Sequence, residues 1–296
     1  MSPSPRTAAD PLTGSAPVGG GAGTSLADAL DGVAVAAGLR AVRVLDGVPG
    51  PASGWTTLAA ALAPGAVERW VATTDAGLAA WRGGRPAPRQ VAPTYVLGWV
   101  LDALAQAGGT PYGLLRRAPA LDLGRVAVRR ARPLGQPAAV ALLGAGAGAS
   151  ARCLPGDAAA VRAGDRPADD ADHLAALLGA DLVACARRVE ALWAPRVRVG
   201  SLQRWGPLAD ALDSVLASAG AARGDVPGGL RDAARVLALA PEPLGRPARA
   251  RPDATPGGPG WTRDRRSCCF AHAVDPALVC RTCPRLSAPR APATAP

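Results

Sequence analysis

The chain has 296 residues, enough for one large domain or two small ones, and its formal net charge of +10 comes from arginine because the sequence contains no lysine. The arginines are scattered in ones and twos and do not alternate with aromatic residues, so the composition argues against a nucleic-acid-binding surface. The positive charge still favours an anionic small ligand or an acidic protein partner.

The N-terminal residues 1–24 are rich in proline, glycine, serine and alanine and lack the basic region and apolar core of a signal peptide, so we predict a disordered tail. No stretch offers eighteen consecutive apolar residues, and the best candidate, Val91 to Ala107, is interrupted by Pro93, Asp102 and Gln106. We therefore expect a cytoplasmic protein without a transmembrane segment. In a reducing compartment, clustered cysteines are metal ligands more often than disulfides.

Helical patterns dominate residues 25–240, which we predict to be one mainly helical body with a small β-hairpin or sheet, an α+β fold. The predicted helices place apolar residues at helical spacing; they begin after Ser25 and cover Ala66–Trp81, Tyr95–Ala107, Asp169–Trp193, Ser201–Ala219 and Gly229–Leu239. Short β-like runs are predicted at Ala41–Leu45, Arg125–Arg129 and Ala138–Leu143. The last two are joined by a Pro/Gly turn, which favours a hairpin.

Residues 241–260 form a Pro/Gly/Arg-rich stretch without periodicity, which predicts a mobile or extended linker. It leads to a short cysteine-rich, metal-binding segment at 261–286, followed by a second disordered tail at 287–296. Three tryptophans of the body stand at core spacing and are interpreted as packing residues: Trp70, Trp99 and Trp205.

Other candidate sites are weaker. The glycine-rich run Gly144–Gly148 is typical of a dinucleotide-binding turn, but no helix follows it. His173 lies at a helix start without a ligand-spaced partner and is interpreted as a partly exposed residue. Cys185 falls on an apolar helix face and Cys153 is interpreted as a loop thiol, so both are expected to be structural. With only two histidines in the chain, one of them inside the cysteine segment, no Ser/His/Asp or Cys/His constellation can be assembled, which argues against hydrolase chemistry.

Four of the six cysteines lie close together near the C-terminus in a C-C-x10-C-x2-C pattern: Cys268, Cys269, Cys280 and Cys283. Four soft thiolates without a histidine pair suit a metal ion or an iron–sulfur cluster better than acid–base chemistry. The C-x2-C half occurs in zinc ribbons and iron–sulfur proteins alike, whereas adjacent cysteines are better placed for a wider cluster. The spacing alone leaves zinc and a cluster open, with a disulfide pair well behind.

The charge around these cysteines is positive. A [2Fe–2S] cluster with four thiolates carries a charge of about −2 when oxidised and about −3 when reduced. Flanking arginines would stabilise that charge and would raise the reduction potential: Arg263, Arg265, Arg266, Arg281 and Arg285. A zinc tetrathiolate is also anionic, so this pattern discriminates weakly between the two.

Arg265–Phe270 and Cys280–Pro284 resemble the C-terminal segment of the FhuF-like ferric-siderophore reductases, whose [2Fe–2S] cluster is held by the same cysteine spacing. Val91–Trp99, Cys153–Asp157 and Trp205–Asp213 are similar to segments of the actinobacterial members, which extends the resemblance over most of the chain. The resemblance implies that one cofactor, a [2Fe–2S] cluster, is ligated by four residues: Cys268, Cys269, Cys280 and Cys283.

The resemblance further implies an iron–sulfur oxidoreductase that reduces a ferric siderophore by one-electron outer-sphere transfer and releases Fe(II) in the cytoplasm. The absence of a flavin or nicotinamide motif implies an external electron-donor protein, either ferredoxin-like or a flavoprotein, and the protein could lie peripherally at an uptake transporter. We expect a shallow cationic cleft near the cluster, with Arg263 and Arg281 as substrate-binding residues at its rim. Two alternatives stay open: a non-enzymatic helical binding protein with a structural four-cysteine zinc site, and a cluster-bearing redox sensor.

Overall fold

The computed structural model describes residues 25–27, 30, 42–47, 50, 53–144, 151–162, 164–193, 200–244, 249–252, 261–280 and 282–284. Over these residues the fold is mainly α with small β-sheets, as predicted. The helices are α1 (Leu58–Ala61), α2 (Ala66–Trp81), α3 (Val91–Leu115), α4 (Ala158–Arg162), α5 (Ala171–Leu192), α6 (Ser201–Ala222), α7 (Val226–Leu239) and α8 (Ala271–Val274). The strands are β1 (Val42–Leu45), β2 (Trp55–Thr57), β3 (Arg117–Pro119), β4 (Val126–Arg130), β5 (Pro137–Leu143), β6 (Ala151–Cys153), β7 (Arg166–Pro167), β8 (Arg249–Pro252) and β9 (Trp261–Asp264).

The long helices confirm the periodic pattern, and α2 has the predicted bounds. Helix α3 extends past the predicted Tyr95–Ala107 at both ends. It starts earlier because Pro93 lies in its first turn, where no N–H donor is required. It continues through a glycine-rich stretch that the sequence pattern treats as a stop, because that stretch is buried against α5 and α6.

Helix α3 lies at the centre of the core and packs most extensively on α6. The two helices approach closely at Gly113, where an added Cβ would stand 2.6 Å from the Cβ of Ala219. A larger residue there would force the helices apart. This close packing sets the first half of α3 beside the first half of α6, where the candidate site lies.

The largest sheet has the strand order β1-β5-β4-β2, with β1 parallel to β5 and the remaining pairs antiparallel. The predicted hairpin is the β4–β5 pair. A second sheet has the order β3-β6-β7, and its strands were not predicted because two or three residues show no readable alternation. Cys153 belongs to β6 and is fully buried, so its placement in a loop was wrong.

The predicted linker is attached to the body where the structure describes it. Leu244 is fully buried in the main core, and β8 pairs antiparallel with β9. This strand escaped prediction because its stability comes from a partner beyond a Pro/Gly-rich stretch, not from its own pattern. Both predicted tails, the glycine run after Gly144 and most of the first predicted helix lie outside the described residues.

Hydropathy separates the described helices from membrane-spanning ones. None of the helices in the described ranges combines the length and the apolar character needed to cross a bilayer.

Candidate functional site

A cleft with a volume of about 330 Å³ opens between α3, α6 and the cysteine segment. One side, the aromatic wall, comes from α3 and consists of Tyr95, Trp99 and Asp102. The opposite side, the thiol wall, comes from the cysteine segment and consists of Arg265, Ser267, Cys268 and Cys269. Helix α6 contributes Pro207 and Asp210 between them. The cleft therefore places two of the four predicted ligand residues beside a space that a small molecule can occupy.

The aromatic wall is one face of α3, since its three residues follow an i, i+4, i+7 spacing. The Tyr95 and Trp99 rings lie with centroids 5.7 Å apart, and Trp99 stacks at 6.4 Å on the buried Trp70. Asp102 accepts a hydrogen bond of 2.7 Å from the buried Gln106 amide. Trp99 thus both packs on the core and lines the cleft, so its interpretation as a packing residue alone was incomplete.

Tyr95 keeps its phenol proton at all ordinary pH values. Burial, followed by the negative charges of Cys269 and Cys268, raises the pKa of Tyr95 to about 12. A neutral phenol at the cleft can donate a hydrogen bond to an oxygen-rich ligand. Tyr95 and both cysteines line the same cleft, so the two walls face each other across it.

Asp210 of α6 holds the thiol wall in place through hydrogen bonds. Its carboxylate is 1% exposed and accepts hydrogen bonds from the Ser267 hydroxyl at 2.6 Å and from the Ser267 and Arg266 backbone N–H groups at 3.0 and 2.7 Å. The Arg265 guanidinium adds a longer contact of 3.4 Å. A buried carboxylate is tolerated only with such partners, so these bonds determine where the chain enters the cysteine pair.

Gln203, two turns before Asp210 on α6, pairs with the backbone of Cys268. The Cys268 N–H donates to Gln203 Oε1, and Gln203 Nε2 donates to the Cys268 carbonyl, both at 2.7 Å. Gly206 lies between Gln203 and Asp210 on the same face of α6 and allows the cysteine segment to approach the helix. A Cβ added at Gly206 would stand 2.9 Å from the Cβ of Ser267. Sequence reasoning missed the roles of these residues; their only signal is the 203, 206, 210 spacing within one helix.

The four thiols are partly converged. The Sγ atoms of Cys269 and Cys280 are 4.0 Å apart, close to the edge of about 3.8 Å expected for a tetrahedron of thiolates with metal–sulfur bonds of about 2.3 Å. Cys268 Sγ instead lies 3.8 Å from His272 Nδ1. Cys283 is buried, and its N–H donates to the Cys280 carbonyl at 3.0 Å, which closes the C-x2-C turn.

The donor set fits a four-thiolate metal group in its chemistry. Among the described residues, which include all four cysteines, no three or more Cys, His, Asp or Glu side chains are already arranged as ligands of one metal ion. The structure therefore brings one pair, Cys269 and Cys280, to a ligand-like separation, and the assignment of all four cysteines stays a prediction.

Where the structure describes the flanking arginines, their side chains contact other groups of the protein, and Arg265 also lines the cleft. Arg265 contacts Asp210, and Arg266 Nη1 donates to the Leu244 carbonyl at 3.3 Å. Of the predicted rim residues, Arg281 and the side chain of Arg263 lie outside the described part of the structure. The described lining contains two carboxylates and one guanidinium, and the cationic rim of Arg263 and Arg281 stays a prediction.

The remaining candidates lie away from the cleft lining. Cys185 is buried in the core, and burial raises the pKa of its thiol to about 12; burial also raises the pKa of Cys153. His173, at the start of α5, is partly exposed, as predicted, and its Nδ1 lies 3.0 Å from Asp169. All three residues are accounted for by packing or local pairing.

No family model, no curated protein and no solved structure matches this chain.

Proposed function

We propose that this chain is an iron–sulfur ferric-siderophore reductase. Its four clustered cysteines, Cys268, Cys269, Cys280 and Cys283, would hold a [2Fe–2S] cluster, and the neighbouring cleft would hold the ferric chelate. An external one-electron donor protein would supply the electrons, and the product would be Fe(II).

The observation that carries this proposal is the position of the cleft. Three segments that resemble the reductase family, Val91–Trp99, Trp205–Asp213 and the cysteine segment, all contribute residues to its lining. They are far apart in the sequence, and the packing of α3 on α6 brings them together around one cleft that opens beside Cys268 and Cys269.

The chemistry that a bound [2Fe–2S] cluster supplies is storage and transfer of one electron. The chain's own residues hold the substrate. Tyr95 and Trp99 provide a flat apolar surface with one neutral hydroxyl donor, which suits the organic frame and the oxygen ligands of a chelate. Because Cys268 and Cys269 are part of the thiol wall, a chelate bound in the cleft would lie beside them. Oxygen chelators hold Fe(II) more weakly than Fe(III), so reduction releases the metal.

The test is anaerobic turnover of the full-length protein with a ferric siderophore, a viologen radical as electron donor and a colorimetric trap for Fe(II). We expect Fe(II) formation that saturates with the chelate. The gallium(III) complex of the same siderophore, which cannot accept the electron, should raise KM without changing kcat. Fe(II) formation no faster than without protein would contradict the proposal.

The two alternatives, a structural zinc protein and a redox sensor, predict different results with the same purified protein. A structural zinc protein would be colourless and inactive, and the 4.0 Å thiol pair suits zinc as well as iron. A redox sensor would carry the cluster and show no turnover with ferric chelates. The cleft beside the thiols favours the reductase over both, because neither alternative requires a small-molecule space there.

A further inference from the structure

We propose that α6 holds Cys268 and Cys269 as a preformed half of the metal site, and that Asp210 and Gln203 are the positioning residues of this half. The inference rests on the ligand assignment made in the proposed function, and it concerns how the chain prepares those ligands before a metal arrives.

The first half is fixed by polar contacts from one helix. Asp210 accepts from the backbone of Arg266 and Ser267, and Gln203 satisfies both the N–H and the carbonyl of Cys268. These bonds constrain the backbone immediately before and at the first ligand. A segment ordered in advance loses less conformational freedom on binding, so its affinity for a metal rises without any new contact to the metal.

The second half of the metal site, which carries Cys280 and Cys283, is attached to the body differently. Its helix α8 packs on the body through the buried Val274, but the chain then turns outward, and Leu278 and Val279 are each 44% exposed. Its backbone contacts are local, as in the Leu278 N–H donating to Asp275 and the Cys283 N–H donating to Cys280. Among the described residues, one backbone hydrogen bond joins the two halves, from the Arg265 N–H to the Thr282 carbonyl at 3.0 Å.

This asymmetry gives Asp210 a function beyond stabilising the fold. Its acceptors face N–H groups one and two residues before Cys268, so any change there is transmitted to the direction of both adjacent ligands. Asn at this position would present an NH2 group or lose one acceptor against several donors. Residues that orient metal ligands from outside the coordination shell typically change metal affinity by about 10- to 100-fold when they are replaced.

The test is a titration of the reduced, metal-free, full-length chain with Co(II). Binding is measured by the thiolate-to-cobalt charge-transfer absorption. We expect Asp210→Asn and Gln203→Ala to weaken Co(II) binding by about 10- to 100-fold. Gln203→Glu sets an acceptor-only carboxylate oxygen against the Cys268 carbonyl, so it should weaken Co(II) binding at least as much as Gln203→Ala does. Arg204→Ala, on the same turn but paired with the exposed Glu190, should bind as the unaltered chain does.

A second readout separates positioning from global destabilisation. In the metal-free protein, iodoacetamide labelling followed by mass spectrometry reports each cysteine separately. Asp210→Asn should speed labelling of Cys268 and Cys269 by about tenfold relative to Cys153 and Cys185, which are buried in the body and report on unfolding.

Unchanged Co(II) affinity in folded Asp210→Asn and Gln203→Ala, absent Co(II) binding by the unaltered chain, or equal acceleration at Cys153 and Cys185 would each overturn the inference. A failure of reductase turnover alone would overturn the proposed function and leave this result standing, because neither readout requires a siderophore or an electron donor.

Discussion

The two walls of the cleft are held in place by different forces. The aromatic wall belongs to one continuous helix, α3, whose position is set by apolar packing of its other faces on the core. The thiol wall is an irregular segment held by a few directed hydrogen bonds from Asp210 and Gln203. Apolar packing tolerates small changes of shape, whereas a hydrogen-bonded segment depends on individual atoms. The cleft should therefore be far more sensitive to substitutions that touch the thiol wall.

The largest effect is expected from Cys280→Ser. Loss of one proposed ligand should abolish the visible chromophore and the reduction of ferric siderophore, measured by absorption and by Fe(II) trapping. Cys185→Ala is the matched control, because it removes a buried thiol outside the segment and should keep both signals. A coloured, fully active Cys280→Ser protein would exclude this cysteine from the ligand set.

The next largest effect is expected on stability, when each of two helical glycines is replaced by alanine. Gly206→Ala places a Cβ 2.9 Å from Ser267 and should destabilise the fold by about 1–3 kcal/mol, whereas Gly98→Ala, on the cleft face of α3, meets no atom within 4 Å. The second change should stabilise by about 0.5–1 kcal/mol through reduced backbone entropy of the unfolded chain. Urea unfolding of both variants measures the difference, and equal stabilisation by both would show that the thiol wall does not press on α6.

A smaller effect is expected within the aromatic wall. Tyr95→Phe removes one hydroxyl donor and keeps the ring, so binding of a gallium(III) siderophore, followed by tryptophan fluorescence, should weaken by about 2- to 10-fold. Tyr112→Phe makes the same change in the buried part of α3 and should leave binding unaltered. Equal affinities of the unaltered chain, Tyr95→Phe and Tyr112→Phe would show that the Tyr95 hydroxyl does not contact the ligand.

The smallest effect concerns the titration of the two tyrosines, which are the only ones in the chain. Burial raises the pKa of both Tyr95 and Tyr112 to about 12, from an unfolded value of about 10. Between these values the unfolded chain binds fewer protons than the folded one, so stability falls as the pH rises above 10 and is unaffected by these groups below it. Absorbance at 295 nm should show little tyrosinate at pH 10 in the folded protein; an ordinary titration of either residue would contradict its burial.

The sequence predicted the aromatic wall's helix better than the thiol wall's supports. Helical spacing is a local property, so α2 was predicted with its bounds and α3 was found, although its glycine-rich end was missed because tertiary packing overrides local propensity. The cysteine spacing marked the segment but not its neighbours. Asp210 lies 57 residues from Ser267, and no periodic pattern links an aspartate on a helix to backbone N–H groups so far along the chain.

Whether the four cysteines hold an iron–sulfur cluster is tested by metal and acid-labile sulfide analysis, with a visible spectrum, of protein purified anaerobically from iron-supplied cells. We expect about two irons and about two sulfides per chain, with a colour that bleaches on reduction. One zinc per chain, without sulfide or colour, would contradict it and would leave a structural metal site beside an unexplained cleft.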